Sequence, residues 1–393
     1  MIKHLFTLIW NRKRNNVLLI VEIFVSFIVL FCICSMGLYY YNNYQKPLGF
    51  TYDNVWLLSM DWKALPNEEV KPILEQLLST IQNAPEVKNA SYAGSSLPFS
   101  FSNNGSTIKR PDKEGVEEFA ELYHGGDDYG KVLEAPLVEG RWFEKADDAA
   151  RLQPAVINQN LKERLFGNET ALNKTIHLWG SDHLVVGVVA QFRKTDFEES
   201  NNVVIRRDNI HLEDAWLPRM IILKVKDGVG VSFEQKLVKD LGRMARGWTL
   251  EFDTMTAMRD VKHKMTVVPL IALSMVAAFL ILNVALGLFG VLWYNISKRI
   301  AEIGLRRAVG STSTGIKWQI VGEVIVLATF GLIIGCFFSL QLPILNAFGI
   351  QSSIYLLATF ISMLAIYVLA IACALYPGAQ AAKTAPAMAL HEE

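Results

Sequence analysis

The chain has 393 residues, 51% of them hydrophobic and only 19% charged, and its mean hydropathy is +0.25. Lys and Arg number 38 and so do Asp and Glu, so no net field recommends nucleic acid as a partner. A soluble globular chain of this length rarely carries so much apolar surface, and here the excess falls in four blocks rather than being spread through one core.

Residues 1–16 set Leu5, Phe6, Leu8, Ile9 and Trp10 against Lys3, Arg12, Lys13 and Arg14, a pattern that predicts an amphipathic helix lying flat on a membrane surface. The first apolar block, residues 17–41, exceeds the roughly 20 residues that cross a bilayer. It is too long for the core of a signal peptide and no A-x-A site follows, so it is read as a retained anchor.

Residues 42–265 are polar enough to fold in water, and long enough to build a core. Residues 55–62 read as a strand. Residues 67–83 repeat Val70, Ile73, Leu74, Leu77, Leu78 and Ile81 at helical spacing, and 87–93 form a second strand. The order returns late, with strands at 220–225 and 248–252 around a helix at 232–246 marked by Phe233, Leu237 and Leu241. Two βαβ units so far apart predict one split α/β lobe, residues 53–96 and 218–255, with a second lobe inserted at 97–217. Short strands are expected in the insertion at 154–158, 175–178, 184–189 and 202–205, with turns at Gly125, Gly126, Gly140, Gly167 and Gly180. Its polar, Gly-rich stretch 100–130 is expected to be a mobile rim.

Three further spans are predicted at 266–294, 318–345 and 354–376, separated by a loop at 295–317 and an uncharged link at 346–353, with a tail at 377–393. The cationic flanks are Lys3, Arg12, Lys13 and Arg14 at the N-terminus and Lys298, Arg299, Arg306, Arg307 and Lys317 in the loop. Cationic loops resist transfer, which puts both termini in the cytoplasm and residues 42–265 on the other side. All four cysteines, Cys32, Cys34, Cys336 and Cys373, fall in apolar blocks. An external domain without cysteine folds without disulfides, which favours a bacterial inner membrane facing a periplasm over a eukaryotic surface.

Within the loop, NISKRIAEIGLRRAVG places Ile296, Ile300 and Ile303 on one helical face beside Arg299, Arg306 and Arg307. Topogenic charge alone would account for the cations, but the isoleucine face predicts an amphipathic helix that docks on a partner. Glu302 is placed to pair with Arg306 and Lys298, four residues away on either side, and Gly304 and Gly310 permit close approach and a helix end. Asn283 in the second span, and Gly331 with Gly335 in the third, suit interhelical hydrogen bonding and close helix packing. Glu22 and Glu323 lie near the cytoplasmic ends of their spans, where pairing with Arg14, Lys317 or the basic loop accounts for them.

No catalytic constellation emerges. GSTSTGIK from Gly310 lacks the Gly-Lys-Ser/Thr ending of a phosphate loop and follows no strand, so no nucleotide is expected on this chain. His124, His177 and His183 lack metal-ligand spacing, and Asp127, Asp128, Asp147 and Asp148 sit in turn-like contexts, so no cofactor or metal is assigned.

Taken together, several segments resemble the MacB/FtsX-type permeases of ATP-binding-cassette systems. They are RIAEIGLRRAVGST from Arg299; LVEGRWFEKAD, AVINQNLKERLFG and VVGVVAQFR in the insertion; and the tail YPGAQAAKTAPAMALHEE. The resemblance implies an α+β membrane protein with four transmembrane helices and an extracytoplasmic α/β domain, a porter-like split βαβ lobe plus a β-rich lobe of the Sabre type. It also implies that residues 296–310 form a coupling helix seated in a separate cytoplasmic ATPase, with Glu302, Arg306 and Arg307 facing polar groups there. ATP would then be bound by a dimer of that partner and not by this chain. A second permease subunit, identical or homologous, is implied, and a periplasmic adaptor, an outer-membrane channel, a hydrolase and membrane lipid are further candidate partners. The expected function is export or extraction of a periplasmic or membrane-embedded substrate; the rival is a mechanotransmission subunit that activates a cell-wall hydrolase or a sensor kinase.

Overall fold

The computed structural model describes residues 13–63, 65–210 and 216–383. Residues 1–12 of the expected interfacial helix and residues 384–393 of the tail lie outside the described residues. The chain divides into two compact units, Met1–Asn42 with Val267–Glu393, and Asn43–Thr266.

Helix α1 (Lys13–Tyr44) runs three residues past the expected end at 41, because Asn43 is fully buried and anchored by the Phe197 carbonyl. The large domain begins with β1 (Val55–Asp61), α2 (Asn67–Gln82) and β2 (Val87–Ala93). Glu68 and Glu69 in the first turn of α2 complement its dipole, and Val70, Leu74, Leu77 and Ile81 are its buried face.

The insertion departs from the expected mobile rim. β3 (Gly105–Lys109) and β4 (Glu117–Gly125) order the middle of that stretch as an antiparallel pair. The reason is tertiary: Ala120 and Leu122 alternate inward, while β4 also pairs in parallel with a strand about 80 residues on. After the short α3 (Tyr129–Val132) come β5 (Leu137–Gly140), β6 (Gln153–Asn158), α4 (Gln159–Phe166), β7 (Thr175–Leu178), β8 (Ser181–Val189) and β9 (Val203–Arg207). β4, β3, β7, β8, β6 and β9 pair in sequence and β9 returns to β4, so the ladder closes on itself and those strands leave no open edge. Asn158 caps α4, accepting from Leu161 N at 3.1 Å, and also accepts from Val203 N at 3.0 Å, tying helix start to strand.

β10 (Met220–Val225), α5 (Val231–Met244) and β11 (Thr249–Thr254) complete the domain. The order β11-β1-β10-β2 is all antiparallel, so the early and late βαβ units interleave in one sheet. One face of that sheet packs Leu58, Ile221 and Leu223 on Leu74, Leu77 and Leu237 of the two helices. The other face joins a core of Leu57, Phe99, Tyr123 and Phe192.

Helix α6 (Met255–Ser297) starts 11 residues before the expected 266, because Thr254 caps it through Ala257 N at 3.1 Å, and it runs on through Pro269 into the apolar stretch. α7 (Ile300–Ala308), α8 (Ser313–Ser339), the short α9 (Gln341–Ile344) and α10 (Ser352–Ala382) follow. Four of the described helices are long and apolar enough to cross a membrane. Leu19, Ile23, Phe27 and Phe31 of α1 share a core with Val284, Leu288, Val324, Leu332, Ala358 and Ile366 of α6, α8 and α10.

Candidate functional site

The basic segment folds as a break and a helix. Ile296 belongs to the last turn of α6, and Arg299 stands at the N-cap of α7. The Arg299 guanidinium donates to Glu302 at 2.9 Å and to both oxygens of Glu323 on α8 at 3.0 and 3.1 Å. Arg306 donates to Glu302 at 2.6 Å and to Gln319 at 2.8 Å. Arg307 reaches Ser313 at the start of α8, and Gly310, at φ +102°, ends the turn as only glycine does readily. α7 is therefore bolted to α8 by charge-assisted bonds, and the two are expected to move as one body.

Two expectations change. Glu302 takes Arg299 as a partner beside the expected Arg306, while the Lys298 ammonium lies over the Tyr294 ring 4.6 Å from its centroid. The isoleucine face is not left for a partner: Ile303 is 8% exposed in the core of the chain's own helices, with Ile296 packed against it and Gly304 buried. Ile300 is half-buried. An amphipathic pattern shows that one face will be covered but not by what. The apolar residues left open are Leu305, 57% exposed, and Val309, 81% exposed.

Gly331 and Gly335 lie where α1 crosses α8. A Cβ on Gly331 would stand 2.8 Å from Ile23 Cγ2, and one on Gly335 2.3 Å from Phe27 Cδ1. Asn283 does not bridge helices; it is exposed and donates to Phe279 O, four residues back on its own helix, at 2.8 Å. Replacing Asn283 with Leu is expected to change unfolding stability in a reconstituted sample by no more than about 0.5 kcal/mol. Glu323 has its partner in the basic segment, and Glu22 Oε2 is buried without one among the described residues.

The site that local sequence did not reveal is a polar joint where the chain enters and leaves the large domain. Asp196, with a side chain 7% exposed, accepts from Arg259 Nε and Nη2 at 2.9 Å each and meets His263 Nε2 at 2.6 Å. Burial pushes its carboxyl pKa up, but the Arg259 and His263 hydrogen bonds outweigh this and leave it below the usual value. The fully buried Arg193 donates to the carbonyls of Lys46 at 2.8 Å, Asp196 at 2.9 Å and Glu198 at 2.6 Å. The Tyr44 ring stacks on Phe197, His263 meets Tyr44 edge-on and Phe197 at a tilt, and Arg259 lies over Tyr52 at 4.5 Å. Gly49, at φ +88°, lets the entering segment pass so near Gln191 that a Cβ would lie 2.0 Å from its carbonyl oxygen. The entering segment, the loop after β8 and the first turns of α6 are thus fastened together.

Elsewhere, several titratable groups of the large domain are held in ion pairs. Arg207 binds Asp127 at 2.6 Å and Asp148 at 2.8 Å, Asp147 takes both arms of Arg141, and Lys131 meets Asp128 at 2.7 Å. His124 pairs with Asp208 at 3.0 Å and His177 with Asp182 at 2.7 Å, whereas burial and the nearby Arg206 hold His183 to about 4. Among the described residues no group of three His, Cys, Asp or Glu could hold a metal ion. The segment 310–317 is a helix start, with Thr312 Oγ1 accepting from Gly315 N at 3.1 Å.

A four-span membrane protein whose large, mostly antiparallel α/β domain is spliced between the first two long helices is the class these features define. A family model described as MacB-like periplasmic core domain matches residues 18–238, more than half of the chain, and one described as FtsX-like permease C-terminal matches 274–386. The chain belongs to this MacB/FtsX-type permease family. It is similar to the macrolide export ATP-binding/permease protein MacB of Neisseria meningitidis serogroup A, 25% identical over 269 residues that cover 65% of this chain and 40% of that protein. MacB 1/2 of Paracoccus denitrificans is 28% identical over 70% of this chain and 42% of its own. The pyoverdine export protein PvdT of Pseudomonas savastanoi pv. phaseolicola is 26% identical over 53% and 33%. The chain spans less than half the length of each of these relatives. The periplasmic region of MacB from Actinobacillus actinomycetemcomitans superposes with a TM-score of 0.39 at 16% identity, covering 55% of this chain and 94% of that one.

Proposed function

We propose that this chain is the membrane subunit of a bacterial inner-membrane export complex, driven by a separate cytoplasmic ATPase that docks on α7. In this reading both termini are cytoplasmic, the large domain is periplasmic, and a second permease subunit lies beside the first. The observation that carries it is the attachment of α7 to α8 through Arg299, Glu323, Arg306 and Gln319, with Leu305 and Val309 left open on the outer side. A push on α7 would enter the bundle through α8, and the fastened joint at Asp196 would carry motion of α6 into the large domain. The long apolar face of α6, exposed at Ile271, Met275, Phe279, Leu282 and Leu286, suits the second subunit. The relatives' names speak of macrolide and pyoverdine export, which supports a small amphipathic compound as cargo here.

The test replaces Leu305 and Val309 together with Asp. Exposed apolar anchors that become buried at a contact are each worth about 1–2 kcal/mol, so co-purification with the ATPase should fall ~10-fold or more. Unfolding of the permease itself should be unchanged, because neither side chain is buried. The single change Ile303→Asp should do the reverse first and weaken the bundle. Full recovery of the ATPase on the double variant would remove α7 as the docking element.

A further inference from the structure

The turn from α8 to α10 presents three large apolar side chains to the outside: Ile344 at 78% exposed, Leu345 at 72% and Phe348 at 87%. Asn346 and Phe348 are held at φ +46° and +57°, a conformation that a bulky side chain rarely adopts and that costs about 1 kcal/mol or more. Surrounding bonds fix it: Tyr355, buried and beside Phe31, donates from Oη to Ala347 O at 3.0 Å, and Leu345 N donates to Gln341 O at 2.9 Å. A backbone strained in this way to point a phenyl ring outward needs something apolar to receive it.

Position says what receives it. No Asp, Glu, Lys, Arg or His occurs between Glu323 and Lys383. Glu323, paired with Arg299, marks one polar boundary of the bundle. The helical rise from there to Ile344 is about 30 Å, the thickness of a bilayer's hydrocarbon layer. Below the turn the exposed surface continues apolar through Ile333, Phe337 and Phe338 on α8 and through Leu356 and Phe360 on α10. A protein partner recognised by charge or hydrogen bonding would find no charged side chain on this turn.

We infer that residues 344–348 form a lipid-contacting wedge, with Phe348, Ile344 and Leu345 seated among the headgroup-proximal acyl chains of the leaflet opposite Glu323. The contact fixes the depth of that end of α8 and α10, as interfacial apolar and aromatic anchors do. It does not depend on what the complex exports or on which ATPase drives it.

The experiment reconstitutes the full chain in phosphatidylethanolamine and phosphatidylglycerol nanodiscs with the photoreactive Phe analogue p-benzoylphenylalanine at position 348. Identical replacements at Phe337, exposed on a span, and Phe119, exposed on the large domain, serve as references. On irradiation, phospholipid adducts at 348 should match those at 337 and exceed those at 119 at least about tenfold. A lipid yield no higher than at 119, or adducts mainly with this chain's large domain or with a second copy, would overturn the wedge. The substitution Phe348→Gly, which relieves the positive φ and leaves the buried core untouched, gives a second readout. It should unfold no more easily in detergent, yet let a nitroxide on an introduced cysteine at Leu345, in a chain whose four cysteines are serine, become more accessible to a water-soluble relaxation agent. Unchanged accessibility would count against a ring held in lipid.

Discussion

Replacing Asp196 with Ala is expected to destabilise the large domain by about 3–5 kcal/mol, because it leaves the Arg259 charge buried without its carboxylate. Arg259 has a side chain only 18% exposed, and beside Asp196 it meets the Tyr52 ring and a Tyr44 hydrogen bond, neither of which supplies the negative charge that the two Asp196 bonds bring. His263 loses its 2.6 Å contact in the same change. Against a total of about 5–15 kcal/mol for a domain, such a loss is a large share, and thermal unfolding of the reconstituted full chain should show it as a clear fall in Tm. Asp196→Asn keeps the shape and removes the charge, so it should fall between the two.

The pH dependence has a defined sign. The Asp196 carboxyl titrates below its usual value in the folded chain, so its contribution is complete above the unfolded value of about 4 and fades as pH drops through the lower folded one. Acid titration should therefore loosen the joint of the native chain only below about pH 4, and the Asn variant should lack that step. A loss under about 1 kcal/mol for Asp196→Ala would mean that the pair is a surface ornament and not a fastening.

Why was this joint invisible in the sequence while α2 was plain? Val70, Leu74, Leu77 and Ile81 announce a helix because their relation is local, set by a repeat of 3.6 residues. Asp196 and Arg259 are 63 positions apart, and nothing near either marks the other. The same limit explains β4. EEFAELYHG carries three Glu in nine residues, a poor strand on propensity, and it is a strand because β3 and β9 flank it and its Ala120 and Leu122 fall inward. The four spans were legible from composition, but their ends were not: Thr254 and Thr312 set starts through single capping bonds. For the basic segment, periodicity identified a face and charge rules identified a side, yet which face meets the partner depended on Ile303 finding its cover within the chain.

Enlarging Gly335 is expected to separate α1 from α8. A Leu there would carry a Cβ 2.3 Å from Phe27 Cδ1 and 3.1 Å from its Cγ, and Phe27 is fully buried among Leu19, Ile23 and Phe31, with no free space to turn into. Either the ring leaves its rotamer or the helix backs away, and overpacking of this kind costs about 1–3 kcal/mol. Backing away would also relieve the 2.8 Å approach at Gly331, so changing both glycines should add less than the sum of the single changes. Gly290 supplies the control: nothing lies within 4 Å of its Cβ position, and Gly290→Ala in mid-helix should be neutral or stabilise by up to about 1 kcal/mol through helix propensity. Detergent-induced unfolding of the reconstituted chain would rank the three. Phe27→Ala tests the direction of the argument, since it should be costly alone but should restore part of the stability lost in Gly335→Leu by giving the new side chain the space of the ring. If the two changes were instead simply additive, α1 and α8 would not be meeting at these residues, and the path from α7 through α8 to the rest of the bundle would have to run through α10.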